Sequence, residues 1–253
     1  MEELITVGGD PEYWIVDDSG PIPAHEFLPG TKEQPHKLPS GAVQVDGMAV
    51  EVNIDPASTA EEFEHNVHAV LGEVRKLVPP AYRFSYEPSV EFLGSTIARV
   101  PEVHKELGCS PDWNAYSGLQ NISPMLELQK IPNVRSAGGH IAIGWGKDLD
   151  KTSQSHIWDC EIYIKTIDEL YCTFKDMWDK DTIRSRLYGK PGAYRPTSFG
   201  VEYRTPSNAW LKYPRLYPFM FQLAYATFEG MLGDGTYKVP KIDSSMLETV
   251  RSD

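Results

Sequence analysis

Seven polar residues sit on short stretches that read as strands and could do chemistry together: Asp10, Glu12, Glu51, Asn53, His140, Glu202 and Arg204. In SFGVEYRT (198–205), Phe199, Val201 and Tyr203 alternate with Ser198, Gly200, Glu202 and Arg204, so the charged pair shares one face of a strand. GGHIAIGW (138–145) sets Ile141, Ile143 and Trp145 against His140, Ala142 and Gly144. In GAVQVDGMAVEVNI the Asp46-Gly47 pair signals a tight hairpin, and its outgoing strand puts Ala49, Glu51 and Asn53 on one side. GGDPEYWIV places Asp10 and Glu12 two apart, with Pro11 between them requiring an edge strand or a bulge. Any one of these acids alone is more often a solvated face or half of a salt bridge. Four strands with the same division into apolar and polar faces, and small residues beside the polar ones, point instead to a cation platform. Carboxylate oxygens without thiolates favour Mg²⁺ or Mn²⁺.

A second cluster, Arg184, Arg186, Lys190 and Arg195, lies on a segment with Gly189 and Gly192 just before the last strand. Guanidinium forks on permissive backbone suit polyphosphate. There is no GxxxxGK[ST] run and no GxGxxG after a strand, so this is not a P-loop or a dinucleotide fingerprint. Acids for divalent cations plus arginines for phosphate are the parts that ATP-dependent chemistry requires.

The elements that must hold these residues follow from periodicity. Ser58 and Thr59 precede Glu61 and Glu62 by three residues, a capping box, and Phe63, Val67, Val70, Leu71, Val74 and Leu77 then form one stripe of a helix. A second helix starts near Thr152 or Ser153 and carries Ile157, Cys160, Ile164, Ile167, Tyr171, Phe174 and Trp178 inward. Leu216 to Leu232 is the most apolar stretch, but Pro218, Gln222 and Glu229 make it a buried helix rather than a membrane span. Asp17 to Gly41, with five prolines, reads as a long functional loop, a lid or a substrate loop.

Whole-chain properties bound the reading. The 253 residues carry 24 Lys+Arg against 36 Asp+Glu, a net charge of −12, which excludes an extended grip on nucleic-acid phosphates. No repeat or low-complexity linker divides the chain, so one domain over residues 1–253 is expected. Cys109, Cys160 and Cys172 are an odd set without metal spacing and read as buried thiols in a reducing cytoplasm. No signal peptide is visible at MEELITVGGDPE.

Five motifs in order, GGDPEYW, PSGAVQVDGMAVEVN, GCSPDWNAY, SAGGHIAIGW and RLYGKPGAYRPTSFGVEYRTPSN, resemble the phage-encoded carboxylate-amine ligases (type 2) of the glutamine-synthetase-like amidoligase group, over about Val7 to Trp210. The resemblance implies an α+β fold with a curved, mainly antiparallel sheet, helices on its convex face and the active site on its concave face. It implies ATP with two to three Mg²⁺ or Mn²⁺ ions, and joining of a carboxylate to an amine through an acyl phosphate. Metal would fall to Asp10, Glu12, Glu51, His140 and Glu202. ATP would fall to Arg186, Lys190, Arg195 and His140, and substrate to Arg204, Asn53 and Asp112. Arg195, Arg204 and Asp46 would serve catalysis, Asp46 and Asp112 being the candidates to take the proton of the amine. Small-molecule or peptide acids and amines are the implied partners, a modified nucleotide stays open as a substrate, and related enzymes often form homo-oligomers.

Departures are visible too. Ala142 stands where relatives commonly carry a second histidine (GGHIH), the first strand reads DPE rather than ExE, and no counterpart of the small N-terminal domain of glutamine synthetase is evident. Three other readings stay open: a phosphotransferase resembling guanidino kinases, a nucleotide-independent metal hydrolase, and a non-catalytic binding module.

Overall fold

The computed structural model describes residues 5–105 and 112–232; the whole of GCSP in the third motif, Cys109 included, lies outside them. Strands β1 (Thr6–Gly9), β2 (Glu12–Asp17), β3 (Gly20–Ile22), β4 (His36–Leu38), β5 (Gly41–Asp46) and β6 (Ala49–Ala57) lead into helix α1 (Ala60–Leu77). Strands β7 (Arg83–Ser85) and β8 (Ser89–Glu91), helices α2 (Gly94–Arg99) and α3 (Glu102–Lys105), strands β9 (Trp113–Asn114) and β10 (Leu119–Gln120), and helix α4 (Met125–Lys130) follow. Next come β11 (Val134–Ser136), β12 (Ile141–Gly144), α5 (Gln154–Phe174), α6 (Thr182–Leu187), β13 (Ala193–Pro196), β14 (Gly200–Tyr203) and α7 (Leu216–Leu232).

One large sheet dominates, running β10-β9-β13-β14-β12-β1-β6, with β2 also on β6 and β5 on its far edge. All described pairings are antiparallel, and with the helices they make an α+β fold. The β1–β2 segment is not an edge strand. It is the bulged alternative: β1 lies between β12 and β6, and the register on β6 shifts between Val7 and Gly9, then holds from Gly9 opposite Ile54 to Glu12 opposite Glu51. Pro11 has no N–H to give, so the neighbouring groups close the ladder, Glu12 N–H to Gly138 O at 2.8 Å and Val52 N–H to Pro11 O at 3.1 Å.

Three helices cover one face. α1 packs on β5 and β6, α5 on β13 and β14, and α7 on β1 and β12 while touching both other helices. Thr59 caps α1 by accepting from Glu62 N–H at 3.1 Å, and the Glu62 carboxylate accepts from Ser58 N–H at 2.8 Å. Ser153 caps α5 by accepting from His156 N–H at 3.3 Å. The alternating Val43, Val45, Val50, Val52, Ile141, Ile143, Val201 and Tyr203 meet Phe63, Val67, Val70, Val74, Cys160, Ile164 and Ile167 in one core. Cys160 is fully buried and Cys172 half-buried, and burial pushes both thiols up to about 12. Among the described residues no helix is long and apolar enough to cross a membrane.

Several expectations change. Leu77 ends α1 exposed instead of completing its stripe. Phe199 does not share the core face with Val201: the strand begins only at Gly200, and Phe199 is 43% exposed. The Asp17–Gly41 segment is no bare loop. It forms β3 on β2 and β4 on β5, with a 3₁₀ turn at Ala24–Glu26 between them. The Asp46-Gly47 hairpin turns on Gly47-Met48, with Gly47 at φ 56°, a conformation that only glycine adopts without strain.

Candidate functional site

The face of the sheet away from the three helices carries the chemistry. Strand register aligns the side chains: Glu12 lies opposite Glu51 and Glu51 opposite Gln44, while Arg195 lies opposite Glu202 and Glu202 opposite Ala142. Directly opposed residues project to the same side, so the alternation that buries valines behind the sheet also gathers these groups in front. Asp10, Glu12, Asp46, Glu51, His140, Arg195 and Arg204 all line one cavity of about 170 Å³, which Lys32 and Gln44 complete.

Around Glu202 the charges are matched. Its carboxylate takes Arg195 Nη1 at 3.2 Å, Arg204 Nη1 in a short ion pair, and lies 3.3 Å from His140 Nδ1. Arg204 in turn reaches Asp112 at 3.3 Å, and Asp112 accepts from Asn121 at 2.9 Å. Burial alone would raise the Glu202 pKa, but the His140 hydrogen bond and the two guanidiniums outweigh it and hold it at about 2.

Around Glu51 they are not. Burial, then the carboxylates of Asp10, Glu12 and Asp46, push Glu51 well above the usual carboxylate range, against one hydrogen bond from Gln44 at 2.8 Å. Burial and Asp46 raise Glu12, which accepts from Gly138 N–H at 2.8 Å, and burial and Glu202 raise Asp10. Asp46 holds Lys32 at 2.7 Å. Asn53 reaches the cluster through Gln44 Oε1 at 3.2 Å.

His140 joins the two groups. Its ring lies against Gly138, where a Cβ would meet Nε2 at 2.4 Å, so glycine is needed there. Arg184 Nη2 is 3.3 Å from Nε2. A guanidinium can only donate, so in the neutral ring Nε2 accepts and the Nδ1 hydrogen faces Asp10 at 3.6 Å and Glu202 at 3.3 Å. Burial and Arg204 work to lower the imidazole pKa, yet the two carboxylates outweigh them and raise it.

The donor set fits a divalent cation. Asp10, His140 and Glu202 each offer an atom within 4.8 Å of the others, and His140 would ligate through Nδ1 once that nitrogen gives up the hydrogen it turns toward the two carboxylates. Oxygen donors predominate and, among the described residues, no thiol joins the group, as a hard ion prefers.

Beside this cavity, and sharing Asp10 and Arg195 with it, opens a second of about 670 Å³, floored by Gly8, Gly9, Ala142 and Gly144 and walled by Phe199. Its size lies within the range of cofactor pockets. The third, of about 70 Å³, lies beyond Glu12 and His140 and contains Arg184, Trp14 and Met48.

The sequence-derived residues therefore divide. Asp10, Glu12, Asp46, Glu51, His140, Arg195 and Arg204 line the acidic cavity, Glu202 sits behind Arg195 and Arg204, and Asn53 and Asp112 attach at its margins. Arg186 and Lys190 are not brought there. Arg186 is exposed and donates to Thr182 O at 3.1 Å, and Lys190 is exposed. The reason is that residues 182–187 form α6: residues two apart on a helix point to different sides, so Arg184 enters the site and Arg186 leaves it. Arg184, a member of the basic cluster with no role of its own in the sequence reading, belongs to the site, as do Gln44 and Lys32, which that reading does not name. Gln44 was findable, since Val43 and Val45 flank it in strict alternation.

No family model and no curated protein matches this sequence. Among solved structures the chain is similar to a bifunctional glutathione synthetase from Pasteurella multocida, at a TM-score of 0.42 and 11% identity, over 99% of this chain and 45% of that one. The chain thus spans less than half the length of that protein. A likeness at this level leaves the functional reading to the site itself.

Proposed function

We propose that the chain is an ATP- and Mg²⁺- or Mn²⁺-dependent ligase that joins a carboxylate to an amine through an acyl phosphate, on a glutamine-synthetase-like sheet within a single catalytic domain. The observation that carries this reading is the junction of two cavities, one acidic and one of nucleotide size, with Arg195 and Asp10 on their shared wall. Cation-binding and phosphate-binding groups meet there, where a terminal phosphate would pass from nucleotide to acid. Two or three divalent ions, when bound, would offset phosphate charge and polarise the phosphorus–oxygen bond.

The chain's own groups take the remaining tasks. Asp10, Glu12 and Glu51 are the acids short of counter-charge and would hold the ions, with His140 and Glu202 beside them. Arg195 and Arg204, now held by Glu202, would turn toward the transferring phosphoryl group and the substrate carboxylate. Arg184, which enters the site where Arg186 and Lys190 do not, lines the small cavity beyond His140 and not the nucleotide-sized one, so it takes no part in holding the nucleotide. A carboxylate is a poor acylating agent because its leaving group would be oxide; phosphorylation supplies a better one. Asp46 lies where an attacking amine would lose its proton.

The test is to incubate the protein with ATP, Mn²⁺ and pooled acids and amines and to follow ADP and inorganic phosphate separately. The ligase reading requires both to rise together and only when an acid and an amine are present. ADP without free phosphate, and a phosphorylated product that survives amines, would select a phosphotransferase. Turnover with metal alone, unaffected by Arg195→Ala, would select a hydrolase.

A further inference from the structure

The smallest of the three cavities enters the chemistry described so far only through the acids and imidazole on its shared wall, and no ligand has been given to it. It shares Glu12, Asp46 and His140 with the acidic cavity but lies on the opposite side from the nucleotide-sized one, and only it contains Arg184. Its composition is specific. Two carboxylates, Glu12 and Asp46, stand at the end that opens on the acidic cavity. The guanidinium of Arg184, 4% exposed, supplies the buried positive charge, Arg135 adds a second on the half-buried side, and Trp14, Met48 and Leu128, all nearly fully buried, give an apolar wall.

Such a lining matches a zwitterion: an ammonium group toward Glu12 and Asp46, a carboxylate toward Arg184, and a short apolar substituent against Trp14 and Met48. A neutral or purely cationic amine would leave Arg184 without use in the complex, and a dicarboxylate would set like charge against Glu12 and Asp46. The volume limits the size. A water-sized group needs roughly 10–15 Å³ of such space, so about 70 Å³ admits about five to seven non-hydrogen atoms. That is the size of glycine, alanine or serine and excludes leucine or phenylalanine.

We infer that this cavity binds a small α-amino acid as the amine partner of the ligation. The inference rests on the ligase reading for its role in turnover, though not for binding itself. With the carboxylate on the guanidinium and the ammonium on Glu12 and Asp46, the amino group is held by the two acids that also line the acidic cavity. The ammonium first gives a proton to Asp46, exposing the nitrogen lone pair. Nitrogen then bonds to the acyl carbon, the bond from that carbon to the phosphate oxygen breaks, and phosphate departs with the electron pair. The second N–H proton leaves with phosphate or solvent, and nothing is oxidised or reduced.

The experiment is calorimetric titration of glycine, L-alanine, glycinamide and L-leucine into the full chain, with and without Mn²⁺ and a non-hydrolysable ATP analogue whose own binding is measured in parallel. Glycine and L-alanine should bind at least tenfold more tightly than glycinamide, which lacks the carboxylate, and than L-leucine, which is too large. Arg184→Met should remove the preference for glycine over glycinamide while the nucleotide analogue still binds; if that variant does not fold, the wild-type comparison of the two ligands decides the point. A second variant, Ala49→Leu, fills the cavity and should abolish alanine binding. Absence of amino-acid binding, or equal binding of all four ligands, overturns the inference whatever the nucleotide does. Amino-acid binding without any nucleotide binding would sustain the cavity assignment and overturn the ligase reading.

Discussion

Two halves of one sheet face hold nearly the same residue types in opposite electrostatic states. On β12, β13 and β14, Glu202 is surrounded by Arg195, Arg204 and His140 and is held ionised at about 2. On β2, β5 and β6, Glu12, Glu51 and Asp46 are gathered with less to offset them, chiefly Lys32 on Asp46, Gln44 on Glu51 and the Gly138 N–H on Glu12, and burial with mutual repulsion pushes Glu12 and Glu51 upward. The first half is complete as a folded network. The second costs folding free energy, a cost that added positive charge would relieve. A site that is to hold both cations and phosphates needs both states side by side, because arginines tied to a carboxylate can be released to an anion, whereas acids already neutralised by arginine could not take up an ion.

The largest test of this contrast is Glu202→Gln. It leaves the guanidiniums of Arg195 and Arg204 without their shared carboxylate, and breaking a buried pair in this way costs about 3–5 kcal/mol; chemical denaturation should show that loss, and an unchanged midpoint would break the comparison. Glu51→Gln should act in the opposite sense. Removing a carboxylate that the fold holds at a raised pKa should stabilise the metal-free protein by roughly 1 kcal/mol, read as about 2–4 °C in the melting temperature, while abolishing most of the protection that Mn²⁺ gives and lowering ADP formation by about 10²–10³-fold.

The pH dependence sharpens the same point. For Asp10, Glu12 and Glu51 the folded pKa lies above the unfolded one of about 4–4.5, so between those values the native state holds the extra proton and stability falls as pH rises. Melting temperatures measured in chelator from about pH 5 to 8 should decline more than those in Mn²⁺, and the gap should widen with pH. Glu202 works the other way: its contribution is fully present above the unfolded value and drains as pH falls toward about 2. The smallest expected effect is that of Arg186→Ala, which should move stability by under about 0.5 kcal/mol and leave nucleotide affinity unchanged, in contrast to Arg195→Ala.

Much of this contrast was legible in the chain itself. Alternation is enforced wherever one face of a strand must bury against helices, so Val50 and Val52 assign Glu51 to the other side, and Ile141 assigns His140. What failed did so where backbone, not pattern, decides. Phe199 fits the alternation, but Gly200, at φ 155° and with Ile143 O only 2.2 Å from where a Cβ would stand, begins the strand two residues later than the pattern suggests. Arg184 and Arg186 looked equivalent as members of a basic loop; a single helical turn capped by Asp181 separates them. Charge compensation was beyond sequence reasoning altogether, because nothing in the spacing says that Glu202 meets two arginines while Glu51 meets none.

The interruption at Asp10-Pro11 has a mechanical consequence. It is the point where the chain passes from one electrostatic half to the other: Asp10 faces His140, and Glu12, two residues on, faces Glu51. Proline withholds one N–H there, yet Gly9 opposite Ile54 and Glu12 opposite Glu51 keep a single register on β6, so the link carries the chain from β1 to β2 without a slip. Inserting or deleting one residue in that link would leave β1 in place but turn β2 over, sending Tyr13 and Ile15 outward and Glu12 into the core. The Asp10-Pro11 link is thus an alignment pin for the two halves.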